Sequence, residues 1–135
     1  MKRLLLIITI CIASNSVFAQ KQTIYYLTDS TEKINGKKAV EFGAEGTLHF
    51  YRIFEKLYAG SKRDIAFTYN KTKATKSASK PSHKYLTRKG LVDLVHKEGH
   101  DFNEKYNLSV VEVMPKKSYH TKKVHLVWID DKPVY

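Results

Sequence analysis

Thr47 to Ala59 reads TLHFYRIFEKLYA, and the fold class turns on it. At about 100° per residue, Phe50, Ile53, Phe54, Leu57 and Tyr58 gather on one side, with Tyr51 at its edge. His49, Arg52, Glu55 and Lys56 take the other. Thr47 can accept a backbone N–H as N-cap, and Gly60 is well placed to end the element. This pattern predicts an amphipathic helix over 47–59 whose aromatic side is a core element.

Strand signals flank it. Thr23 to Thr28 (TIYYLT) is rich in β-branched and aromatic residues. Asn35-Gly36 is a strong turn dipeptide, and Lys37 to Phe42 follows as a second strand, so a hairpin of 23–28 with 37–42 is expected. Asp64 to Asn70 alternates like a strand. Lys71 to Lys84 holds Lys, Thr, Ser, Ala and one Pro with no large apolar residue, which predicts a mobile loop. Thr87 caps a second helical stretch, where Leu91, Leu94, Val95 and Phe102 share a side. Gly99 makes it either one helix over 88–106 with a weak middle or two short ones. Leu108–Met114 and Val124–Ile129 are strands dense in Val, Leu and Ile, joined by a basic hairpin loop at 116–123. Apolar residues on both sides of 124–129 predict a central strand with Trp128 buried. The order is ββαβαββ. The expected fold is α+β, a two-layer sandwich of one mixed sheet of about five strands with two helices on one face.

The first 19 residues have the order of a secretory signal. Lys2 and Arg3 precede a run from Leu4 to Ala13 that is apolar except for Thr9, and Val17-Phe18-Ala19 suits cleavage before Gln20. The run is shorter than the roughly 20 residues a membrane-spanning helix needs. Cys11 lies inside it after bulky Ile10, which argues against lipidation. Cleavage after Ala19 predicts a secreted or periplasmic chain, 20–135, with no cysteine, 22 basic and 13 acidic residues, and a net charge of +9. Without disulfides or thiolate metal sites, one hydrophobic core must stabilise it.

The charge is clustered. No acidic residue falls between Asp64 and Asp93, where Lys71, Lys73, Lys76, Lys80, Lys84, Arg88 and Lys89 lie. None falls between Glu112 and Asp130, which enclose Lys116, Lys117, Lys122 and Lys123. Tyr85 and Tyr119 are interleaved with them. Lysines around aromatic rings suit a polyanion: nucleic acid, anionic polysaccharide or lipopolysaccharide. A solvated surface that keeps the protein soluble has the same composition. The scarcity of arginine counts against sequence-specific nucleic-acid reading. The two clusters meet at one end of the sheet only if strands 64–70 and 108–114 run in the same direction.

Two weaker constellations remain. His83 and His120, each in a basic segment beside a tyrosine, are the candidates for metal-independent phosphodiester cleavage, as in a small secreted nuclease. His96, His100 and Glu104 have helical spacing for zinc, but His96-Lys97-Glu98-Gly99-His100 lacks the glutamate directly after the first histidine that zincins carry. No cofactor is implied. Non-enzymatic contact with an anionic surface or a partner protein is the leading expectation, and a histidine-dependent hydrolase is the alternative.

Overall fold

The structure is a computed structural model that describes residues 20–55 and 62–135. The expected signal segment, 1–19, and the second half of the expected first helix, including Leu57 and Tyr58, with its Gly60 stop, lie outside the described residues.

The elements in chain order are β1 (Gln22–Asp29), β2 (Lys33–Ile34), β3 (Lys37–Lys38), β4 (Val40–Glu45), β5 (Leu48–Phe54), β6 (Asp64–Tyr69), β7 (Thr75–Ser77) and β8 (Tyr85–Leu86). Then come α1 (Arg88–Glu98), α2 (Phe102–Lys105), β9 (Tyr106–Met114), β10 (Ser118–Ile129) and β11 (Lys132–Pro133). One mixed sheet runs β4-β5-β6-β10-β9-β1-β8, with β7 and β11 added beside β10. The helical stretch covers one face. A mixed α/β fold with one main sheet is therefore present, but the described residues form one helical run rather than two separate helices.

The 47–59 expectation is corrected: Leu48–Phe54 is a strand between β4 and β6. The same residues satisfy period two, with Tyr51 and Ile53 fully buried and Leu48 exposed. Pairing on both edges supplies backbone partners that an isolated helix would make internally, and aromatic and β-branched residues suit the pleat. Gly46, at φ 60, is the first residue of a two-residue loop joining Glu45 to Leu48. A positive φ there, where glycine is unstrained, gives a turn whose twist matches the strands. Thr47 is thus a turn residue and not a helix cap.

The 23–28/37–42 hairpin is also corrected. β1 pairs in parallel with β9 and β8, whereas β4 pairs with β5 at the far edge. Asn35-Gly36 does make its turn, at φ 49 and 77, but only within the small β2–β3 hairpin.

Thr87 caps α1 by accepting the Gly90 N–H at 3.0 Å. Gly99, at φ 57, ends α1, and a 3₁₀ turn leads into α2. Leu91, Val92, Val95 and Phe102 bury themselves against Ile24, Tyr26, Leu108, Val110, Leu126, Phe67 and Ile65. These sheet residues all project to one side by strand register, here called the covered face. β10 is central as expected, but Trp128 is 45% exposed. A register shift between Leu126 and Trp128 places it, with Ala66, on the opposite, open face, which no described helix covers.

β6 and β9 are each antiparallel to β10, so they run in the same direction. That expectation holds, and it fixes the geometry of the basic segments.

Candidate functional site

β6 finishes at Tyr69, level with Val124 and Leu108, and the 70–77 segment then carries the chain along β10 toward the end where β1 and β9 finish and the β9–β10 turn lies. Asn70 starts that segment: its Oδ1 accepts from the Thr72 N–H at 3.0 Å and hydroxyl at 2.7 Å, closing a 3₁₀ turn over Lys71–Lys73. The chain then pairs Thr75–Ser77 with Tyr119–Thr121, so Lys76 stands opposite His120. A stretch with no large apolar residue gains order by borrowing the edge of β10 that β6 has left free. Pro115–Lys117 is a tight turn between Met114 and Ser118, with Lys116 at φ 67 and Lys117 at φ 57. The expected hairpin loop of 116–123 is thereby corrected, because all of it beyond Lys117 belongs to β10.

Lys71, Lys73, Lys76, Lys116 and Lys117 are exposed and make no ion pair with a described residue. They form a lysine-rich rim that follows β10 from the end of β6 to the β9–β10 turn. Leu48, Thr68 and Lys123 reach its Lys71 end from the open face, because β5 and β10 run opposite to β6.

The other basic candidates divide differently. Arg88 is held by Glu32, and Lys89 donates to Asp93 at 2.5 Å. With Arg63 also donating to it, the Asp93 carboxyl is held below the usual range. Lys80 lies 5.2 Å over the Tyr85 ring, and Lys84 is exposed just before β8. Lys122, taken from sequence as a surface charge, is interior. Its Nζ donates to Glu112 Oε2 at 3.0 Å and lies 4.5 Å from the Tyr69 ring centre and 5.4 Å from that of Tyr51. The Tyr51 hydroxyl donates to the same carboxylate oxygen at 3.2 Å. Burial, and then Glu112, push the Tyr51 hydroxyl well above the usual tyrosine range. Alternation explains the miss: Lys122 and Lys123 are neighbours on a strand and point to opposite faces.

Residues 78–84 cross the open face from β7 to β8. The His83 ring stacks on Tyr25 at 3.7 Å, and Tyr85 donates to the Pro81 carbonyl at 2.6 Å. Burial, then Tyr119 and Tyr25, raise the Tyr85 hydroxyl above its ordinary value. His120 shares its face with Glu112 and Lys122, so the sheet separates it from His83. The two histidines do not converge on one reacting atom.

His96 is also engaged, with Nδ1 2.8 Å from the Val92 carbonyl oxygen and Nε2 3.1 Å from both Asp130 oxygens. His100 and Glu104 are exposed beyond the Gly99 break. No group of three metal-ligating side chains occurs among the described residues, and no described helix is long and apolar enough to cross a membrane.

Sequence reasoning also missed a trough on the open face, about 420 Å³, lined by Leu48, Phe50, Ala66, Thr68, Val127 and Trp128. The Phe50 ring lies over Gly43, where a Cβ would strike it. Period-two alternation in 48–54 was the signal that could have revealed it.

Comparison with protein-family models, with characterised proteins and with solved structures finds no match to this chain.

Proposed function

We propose that this chain is an exported, non-enzymatic binding domain whose lysine-rich rim contacts an anionic polymer or surface. The observation that carries the reading is the seating of β7 along β10. It lines Lys71, Lys73 and Lys76 up along β10 toward Lys116 and Lys117, and none of the five makes an ion pair with a described residue. Like charges strung in one row raise the local potential and draw a polyanion through counterion release.

The β9–β10 turn lends support. The other described turns with positive φ use Asn35-Gly36, Gly46 and Asp130-Asp131, residue types that tolerate that region. Here two lysines hold it, at a cost of about 1 kcal/mol each. A charge kept against the backbone's preference is what an anion site would require.

The test is retention of the purified protein on heparin at low salt. Replacement of Lys71, Lys73 and Lys76 by Gln and of Lys116 and Lys117 by Asn should abolish retention while leaving the far-UV spectrum unchanged. Undiminished retention by that variant would overturn the reading.

A further inference from the structure

The trough and the rim are continuous. Leu48 begins β5 at the rim end, and His49 pairs with Tyr69, one step from Asn70 and two from Lys71. On the other flank Val124 pairs with Tyr69, which brings Lys123, on the open face, to the same level. From Thr68 the floor runs along β6 to Asp64, four residue steps or roughly 13 Å. There Arg52, hydrogen-bonded to Asp64 and ion-paired with Asp131, closes it with polar groups. One end is thus cationic, the middle apolar and the far end plugged.

Leu48 at 53% exposure and Trp128 at 45% are large apolar side chains left in solvent along this line. The trough's volume lies within the range of small-molecule sites, about 300–1,000 Å³. A linear polyanion would use the rim and leave the trough empty. A neutral apolar ligand would use the trough and leave the lysines idle. One molecule class uses both.

We propose that trough and rim together bind an anionic amphiphile, a lipid with a phosphate or sulfate head. The alkyl chain lies along Leu48, Phe50, Ala66 and Trp128, and the head is among Lys71, Lys73 and Lys123. This rests on the reading of the rim as an anion site and narrows it to anions that carry a chain. Glu45 lines the outer rim on β4, two strands from β6, and opposes the head's charge.

Trp128 is the chain's one tryptophan and reports directly on the trough. Dodecyl phosphate, titrated below its micellar concentration, should give a saturable blue shift of its emission. Leu48→Asp should remove that shift and leave heparin retention intact. Gln at 71, 73 and 123 should weaken dodecyl phosphate about tenfold or more, as expected for losing several lysines near an anionic head, without changing the response to neutral dodecyl maltoside. Glu45→Gln should tighten it. Heparin retention without a saturable shift overturns this proposal and leaves the anion reading standing. Equal responses to dodecyl phosphate and dodecyl maltoside also overturn it, since the lysines would then play no part. Loss of both heparin retention and the shift in the unmodified protein overturns the two readings together.

Discussion

Lys122 and Lys123 are adjacent in the chain and opposite in fate. Lys122 points to the covered face, where Glu112, Tyr51 and Tyr69 enclose it at 11% exposure. Lys123 points to the open face and reaches solvent. The covered face turns a charge into a structural part, and the open face leaves it available to a ligand. A run of lysines in sequence is therefore not a surface patch until the strand's alternation has divided it.

The sharpest way to break this contrast is to remove one member of the interior pair. Lys122→Ala should destabilise the fold by about 3–5 kcal/mol, because it strands the Glu112 carboxylate among tyrosines. Lys123→Ala should change stability by less than about 0.5 kcal/mol. Urea midpoints at unchanged m-value would show the difference. Equal midpoints would mean that Lys122 is solvated and that the faces are not distinct.

The same contrast holds for apolar residues. Phe102→Ala, which empties the buried side of the helical run, should cost about 3–5 kcal/mol. Trp128→Ala should cost far less, and native Trp128 emission should be red-shifted and readily quenched in the absence of ligand. Blue-shifted, protected emission in the free protein would contradict its place on the open face.

How legible all this was in the sequence varied with how many constraints acted on each residue. β1, β6, β9 and the central place of β10 were readable because Val, Ile and Tyr runs bounded by turn residues have one comfortable backbone state. The helical run was readable because Thr87 and Gly99 mark its cap and its break. Leu48–Phe54 was not, since Phe50, Ile53 and Phe54 fit period 3.6 as well as Tyr51 and Ile53 fit period two. Pairing with β4 and β6, contacts distant in sequence, decided between them. β7 was missed for the opposite reason. Thr75–Ser77 has no apolar pattern, and its backbone pairs because β10 presents an edge. At the candidate site, the parallel course of 64–70 and 108–114 was legible, and so was the clustering of lysines. The internal use of Lys122 and the trough were not, because both depend on which way a mis-assigned or unbroken strand turns its side chains.

Alkaline titration sharpens the account of the covered face. Burial, and then Glu32, push the Tyr26 hydroxyl from 10.0 up to about 12. Its raised folded value leaves stability complete below about pH 10. Stability then falls toward pH 12, because the unfolded chain releases the proton first. Tyr26→Phe should flatten that limb of the curve, and an unchanged limb would place the hydroxyl in solvent.

A smaller effect joins stability to function. Lys116→Asn with Lys117→Gly should raise stability by about 1 kcal/mol, since both residues tolerate positive φ. The same change should weaken heparin binding. A variant that gained stability and kept its affinity would show that the turn lysines serve no anion.

The central claim, that the five rim lysines strung along β10 act as one anion site, is tested most directly by the salt dependence of binding to duplex DNA as a generic polyanion. For the unmodified protein, log K against log salt should fall with a slope of roughly −3 to −5, the release expected when most of the five lysines meet phosphates. With Gln at 71, 73 and 76 and Asn at 116 and 117 the slope should fall close to zero. The same slope in both proteins would contradict the account.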